Sequence, residues 1–185
     1  FYTEFYEGEY KRIGVARLNQ FTLDIQEIKN DLFPNFRLRR DDLSRLQGPT
    51  NPSPLQLSDG SWDILFRSTE GPNKRRQIYS ASARTPFSEW SSPENLFKKG
   101  DIEDVAIWLD GDVERGIIRD IGGTVSGKKW PTIAGICKDE AGHWVPEKTP
   151  HLFNRSLPDS CGTPILFNRV ERPHVLNVED RTLLS

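Results

Sequence analysis

The sequence contains no methionine among its 185 residues and only two cysteines. Cys137 and Cys161 are too few for a disulfide-rich scaffold or a structural zinc site, although they could form one bridge or remain free thiols. It also lacks an apolar run long enough to cross a bilayer, so we expect no membrane partner. A chain of this length would ordinarily contain methionine, and the residues from Phe1 onward already have the pattern of a fold interior. We therefore predict that this is a piece of a longer chain.

An excess of basic charge is absent as well. The 25 Lys and Arg residues face 27 Asp and Glu residues, which gives a net charge of −2. Nucleic-acid-binding domains normally carry a basic excess, so we expect no nucleic-acid partner. No His, Cys and Asp residues have metal-ligand spacing, and no glycine-rich loop has a phosphate-binding pattern. We therefore expect neither a metal nor a cofactor.

What the sequence has instead is a series of short β-type segments separated by turns. In LQLSDGSWDILFRS (55–68), an Asp-Gly turn precedes apolar residues that alternate with polar ones, and IEDVAIWLDGD (102–112) ends in a second Asp-Gly. One helical turn is predicted within 24–29, where Ile25 and Ile28 lie three residues apart. The β-type units recur at intervals of roughly 50 residues, a spacing typical of propellers and solenoids. Aromatic residues near the turns favour an all-β propeller over a β-sandwich, with residues 1–185 in a single domain.

Four stretches together resemble one family pattern. TNPSPLQLSDGSWDILFRS (50–68), RRQIYSASARTPFSEW (75–90), IEDVAIWLDGD (102–112) and FNRVERPHVL (167–176) are similar in order and spacing to blade motifs of glycoside hydrolase family 43 and its relatives. FYEGEYKRIGVAR (5–17) is similar to an earlier blade. Two departures are Val105, where the family has proline, and the chain between Arg119 and Trp130. The resemblance implies a five-bladed β-propeller, of which three to four blades are present here.

The resemblance also implies a pair of carboxylates. Glycoside hydrolysis needs a protonated acid at the leaving oxygen and an ionised carboxylate on the other side of the sugar. By resemblance, Glu171 is the general acid, and Asp104 orients it and raises its pKa through a nearby like charge. The residues alone leave two alternatives open, an ion pair between Glu171 and an arginine and a turn-capping role for Asp104. The general base is expected to precede Phe1.

Five further residues are candidates for contact with a sugar. Trp108 could stack on a pyranose ring, although large aromatic residues in small β folds are more often part of the core. Arg169 should share the strand face of Glu171, and a close pair between them would lower the pKa of the acid. His174 could line the pocket or be a structural histidine. The complete set of candidate substrate-binding residues is Asn51, Arg67, Trp108, Arg169 and His174.

The leading hypothesis for function is therefore a glycosidase that cleaves a poly- or oligosaccharide, with inversion of configuration implied by the resemblance. The alternatives are a non-catalytic carbohydrate-binding propeller and a scaffold propeller that binds protein partners. A secreted or periplasmic location is slightly favoured over a cytoplasmic one. Arg119 and Asp120 have no assigned role, and the sugar, its linkage and the choice between exo and endo action stay open.

Overall fold

The structure is a computed structural model. It describes residues 1–5, 11–36, 48–70, 75–153, 156–158, 161, 163–166, 175–178 and 181–184. Within these ranges the chain forms strands and turns but no helix, and hence no helix that could span a membrane. The predictions made for Arg169, Glu171 and His174 lie outside the described residues.

The described ranges contain fifteen strands, which are numbered in chain order. They are β1 (Tyr2–Phe5), β2 (Lys11–Leu18), β3 (Ile25–Lys29), β4 (Thr50–Gln56), β5 (Trp62–Glu70), β6 (Arg75–Ala83), β7 (Glu94–Asn95), β8 (Ile102–Asp110), β9 (Val113–Asp120), β10 (Thr132–Lys138), β11 (Trp144–Phe153), β12 (Ser156–Pro158), β13 (Pro164–Leu166), β14 (Val175–Val178) and β15 (Arg181–Leu184).

The chain divides into two compact units, Phe1–Asn95 and Leu96–Ser185. The first unit contains a three-stranded sheet, β1-β2-β3, and a four-stranded sheet, β4-β5-β6-β7. The second unit contains a four-stranded sheet, β11-β10-β9-β8, and the strand pairs β12-β13 and β14-β15. Within each four-stranded sheet, strands that are consecutive in sequence pair antiparallel, so both of these sheets are meanders. In the second unit, the backbone of β14 lies close to that of β8.

The first unit is held together by an aromatic core. Phe66 on β5 is fully buried, and its ring stacks on Phe33 and Tyr79 at centroid distances of 4.8 and 5.7 Å. Phe33 follows the three-stranded sheet in sequence, and the backbone N–H of Leu32 donates to the carbonyl of Ile13 on β2. Because buried aromatic rings remove large apolar areas from water, these contacts join the unit's two sheets into one core.

The second unit has an isoleucine-rich core. Ile117 and Ile118 are consecutive on β9, yet they are 1% and 0% exposed, so both faces of this central strand are covered. Gly116 allows the close packing beside them, because a Cβ there would lie 3.0 Å from side-chain atoms of both Ile107 and Ile136. The β8-β9-β10 part of this sheet is therefore closely packed on both faces.

The structure confirms the all-β prediction for the described residues, whereas the propeller and the single domain stay predictions. The predicted Asp-Gly turns are present, with Gly60 and Gly111 at φ values of 86° and 61° that favour glycine. The predicted helical turn at 24–29 is wrong, because this segment is β3 and pairs with β2. Ile25 and Ile28 of β3 are 62% and 51% exposed. Cys137 and Cys161 do not form a disulfide bridge with each other.

Candidate functional site

Asp104 lies in a β-bulge near the start of β8. Glu103 is opposite Arg119 on β9 and Val105 is opposite the next residue, Ile118, so Asp104 is the extra residue at this point. Its φ of 49° lies in the left-handed region that residues other than glycine seldom adopt, and the residue is buried. Bulges redirect side chains and are over-represented beside active sites, so this geometry supports Asp104 as a functional candidate.

A buried ion pair fixes the strands next to this bulge. An N–H of the Arg119 guanidinium donates to Oε1 of Glu103 at 2.6 Å, and their side chains are 12% and 6% exposed. The two residues are direct cross-strand partners, so the charge-assisted bond locks β8 to β9 one residue before Asp104. The sequence alone assigned no role to Arg119, which here stabilises the pairing of β8 with β9 beside the bulge.

Asp120, at the end of β9, organises the loop that follows it. Its carboxylate is fully buried and accepts four hydrogen bonds. The backbone N–H of Thr124 donates to Oδ1 at 3.1 Å, and the N–H of Val125 donates to Oδ2 at 2.9 Å. The N–H and the hydroxyl of Ser126 donate to Oδ2 at 2.7 and 2.9 Å. A buried carboxylate with this many donors stabilises one loop conformation.

This loop, residues 121–131 and called the Asp120 loop below, is also tied to the start of β8. The N–H groups of Ile121 and Gly122 both donate to the carbonyl of Asp101, at 2.9 and 3.0 Å. The loop closes tightly on itself at Gly123, where φ is 70° and a Cβ would lie 1.8 Å from the carbonyl oxygen of Lys128. The Asp120 loop therefore lies at the same end of the sheet as Asp104.

The four-stranded sheet of the first unit contains a matching bulge. Thr50 is opposite Arg67, whereas Ser53 is opposite Leu65, so β4 has one residue more than β5 over this stretch. Asn51 has a φ of 52° there. Nε of Arg67 donates to Oγ1 of Thr50 at 3.3 Å. The predicted substrate-binding residues Asn51 and Arg67 are thus brought together.

The two bulges are the same feature repeated in two sheets. In each, an arginine on the second strand binds the polar residue that precedes an Asn or Asp with positive φ, Asn51 in one and Asp104 in the other. The strand pairing just beyond the two bulges also corresponds. Ser53 is opposite Leu65 in the first unit, and the equivalent residue Ala106 is opposite Ile117 in the second. In sequence, the arginine follows its polar partner by 17 residues in the first sheet and 16 in the second. That spacing was a signal available to sequence reasoning.

A second cation lies near the bulge of the first unit. Partial burial, together with the positive charge of Arg67, lowers the pKa of Lys11. The backbone of Lys11 packs against Gly48, where an added Cβ would lie 2.5 Å from the Lys11 carbonyl oxygen. Lys11 and Arg67 therefore give this end of the first unit a positive charge beside Asn51.

Comparisons with known proteins identify a similar fold but no family. No family model and no curated protein matches the sequence. Among solved structures, the fold is similar to that of the Hadza microbial sialidase Hz136, with a TM-score of 0.55 and 15% sequence identity. The match covers 91% of this chain and 34% of the sialidase chain, so this chain spans about a third of that protein. At this identity, the likeness shows a shared β-sheet fold.

The other predicted residues lie elsewhere. Trp108 is half-buried on β8 opposite Arg115, four residues beyond Asp104, which is roughly 13 Å along a strand. The structure therefore does not bring Trp108 next to Asp104. Glu171, predicted as the general acid, precedes β14 in sequence but is not among the described residues. Within the described part of the chain, no cluster of three or more His, Cys, Asp or Glu residues could hold a metal ion.

Proposed function

We propose that this chain is part of a glycoside hydrolase whose four-stranded sheets are blades of a five-bladed β-propeller. The observation that carries the proposal is the repeated bulge, in which a positive-φ Asn or Asp follows a residue bound by arginine. A left-handed conformation at these residues costs about 1 kcal/mol or more, and strain of this kind clusters at active sites and ligand-binding positions. Its repetition at polar residues therefore supports contact between these side chains and a ligand.

Two further observations support a carbohydrate ligand. The blade motifs at 50–68 and 102–112, which resemble those of family 43 glycosidases, are the segments that contain the two bulges. The fold is also similar to that of a protein named as a sialidase, although at only 15% identity. A carbohydrate substrate accounts for both likenesses.

In the proposed mechanism, Glu171 is the general acid and Asp104 orients it. Like charge from Asp104 would keep Glu171 protonated near neutral pH, as proton donation to the leaving oxygen requires. The placement is supported by β14, which begins four residues after Glu171 and whose backbone lies close to β8. Both residues belong to the second unit. The proposal includes inversion of configuration, with a general base outside this chain.

The remaining predicted residues are proposed to bind substrate. Asn51 and Arg67 present an amide and a guanidinium at the bulge of the first unit, and both can hydrogen-bond sugar hydroxyls. Arg169 and His174 flank Glu171 in sequence and are proposed to contact the sugar whose glycosidic oxygen Glu171 protonates. Trp108 is proposed to contact a more distant part of the substrate, because it lies well along β8 from Asp104.

One observation favours a second candidate function, carbohydrate binding without catalysis. The position equivalent to Asp104 in the first unit is Asn51, whose amide can bind a hydroxyl but cannot exchange a proton as an acid or base. If Asp104 has the same task as Asn51, the repeated bulges are binding positions only.

The test is hydrolysis of arabinan, xylan, galactan and agar-type oligosaccharides by the wild type and by Asp104→Asn. Asparagine tolerates the left-handed conformation, so the variant should fold normally. We expect kcat to fall by about a hundredfold or more, with the basic limb of the pH profile displaced to lower pH because Glu171 loses its like-charged neighbour.

The matched control is Asp112→Asn, which removes an exposed aspartate from the β8–β9 turn and should leave turnover unchanged. Equal turnover by wild type and Asp104→Asn would overturn the catalytic role. Oligosaccharide binding by the wild type without hydrolysis of any substrate would select the binding function instead.

A further inference from the structure

We propose that the Asp120 loop and the segment just before β8 form a binding subsite for a carboxylate-bearing glycan. In this subsite, Trp130 stacks on a sugar ring and the neighbouring lysines bind carboxylates on the same chain of sugars. The inference rests on the proposed function, since it names the substrate class at the Asp104 end of the sheet.

Trp130 is unusual in its exposure. It is 50% exposed, whereas Trp144 in the same unit is 6% exposed. Among the large hydrophobic residues described as exposed in the second unit, Trp130 is the only aromatic one. An indole ring left half in water loses the burial that usually stabilises it, yet it offers a flat apolar face to a ligand.

The loop that carries Trp130 is preorganised. Four hydrogen bonds to the buried Asp120 carboxylate hold its first half, and two to the carbonyl of Asp101 tie it to the start of β8. Trp130 itself is two residues before Thr132, the first residue of β10. A ligand that binds this loop therefore does not have to order it first, which reduces the entropic cost of binding.

Positive charge collects at the same end of the sheet. Lys128 and Lys129 directly precede Trp130, and Lys98 and Lys99 lie in the turn before β8. The bonds from the loop to the carbonyl of Asp101 bring these two segments together. Three of the lysines are exposed, and Lys128 is partly so.

The chain as a whole carries a net charge of −2, so this cluster is a local feature rather than a consequence of composition. A ring-stacking side chain among compact cations matches a ligand that alternates sugar rings with carboxylates. A nucleic acid also combines rings with anions, but the proposed glycosidase function favours a glycan as the ligand, and the test below distinguishes the two.

The test is calorimetric binding of oligogalacturonate to the whole chain, with the methyl-esterified oligomer as the neutral ligand of the same backbone. We expect the carboxylated oligomer to bind at least about tenfold more tightly, and its affinity to fall with added salt. Trp130→Ala should weaken binding by about tenfold, and Trp130→Phe should restore most of it. The double variant Lys128→Gln, Lys129→Gln should weaken binding and flatten the salt dependence.

Lys148→Gln is the matched lysine control, because Lys148 is exposed on β11 outside the loop, and it should bind like the wild type. Equal affinity for the methyl-esterified oligomer, or unchanged binding by Trp130→Ala, would overturn the subsite. Equal affinity for inorganic polyphosphate or oligothymidylate would also overturn it, since the lysines would then be an unspecific anionic-ligand surface.

These results are distinguishable from failure of the proposed function. If neutral glycans are hydrolysed with dependence on Asp104 while Trp130→Ala changes no binding, the subsite is wrong and the glycosidase proposal stands. If oligogalacturonate binding depends on Trp130 but no glycan is hydrolysed, the subsite stands and the catalytic proposal is wrong.

Discussion

Replacing Asp120 with alanine removes four hydrogen bonds from the end of β9 at once. Hydrogen bonds to a charged group contribute about 1.5–3 kcal/mol each, but they are not additive, and one of the donors belongs to Thr124, an exposed residue. We therefore expect Asp120→Ala to lower the free energy of unfolding by about 3–4 kcal/mol. Asp120→Asn should cost less, about 1–2 kcal/mol, because an amide oxygen at the place of Oδ2 keeps three of the bonds.

The measurement is urea unfolding of the two variants and the wild type, combined with hydrogen exchange of the backbone amides of Thr124, Val125 and Ser126. The alanine variant should exchange fastest at all three amides, and the asparagine variant should lose protection mainly at Thr124, which faces the new NH2 group. Unfolding midpoints equal to that of the wild type, or unchanged exchange at these amides, would refute the idea that Asp120 holds the loop.

Three further substitutions test the same sheet. Gly123→Ala should destabilise by about 2 kcal/mol more than Gly127→Ala in thermal unfolding, since both have φ near 70° but only the first Cβ meets the Lys128 carbonyl. Equal losses would contradict the tight closure of the loop. Glu103→Gln should cost about 3 kcal/mol, because it replaces the charged acceptor of the 2.6 Å bond from Arg119 in a largely buried ion pair, and a cost below about 1 kcal/mol would show that the pair is not needed. Ile118→Ala should cost about 3–4 kcal/mol in urea unfolding, because this fully buried side chain would leave a cavity; a loss under about 1 kcal/mol would argue against the described packing.

Local signals predicted the strands, because the alternation of strand faces and the residues of a turn can be identified from a few neighbouring positions. The alternation in 62–67 and the Asp-Gly turns at 59–60 and 110–111 need no knowledge of the rest of the chain. The error at 24–29 has the opposite origin. The spacing of Ile25 and Ile28 fits a helical turn, but pairing with β2 decides the conformation. The residues of 24–29 taken alone do not indicate that pairing.

The candidate site was predictable only in part. Resemblance to a family pointed to Asp104, but its bulge depends on the register between β8 and β9, which no single segment encodes. Asp120 had no role from sequence, because its four donors lie in a loop whose course depends on that same carboxylate. Trp130 became a candidate for ligand binding only because the structure shows it exposed on that loop.

One measurement tests the glycosidase proposal most directly. It compares the release of reducing ends from the screened glycans by the wild type and by Glu171→Gln. We expect the wild type to cleave at least one glycan. The variant, folded with the same unfolding midpoint, should lose turnover by about a hundredfold or more while it still binds that glycan. Equal rates of release by the two proteins would show that Glu171 is not the general acid.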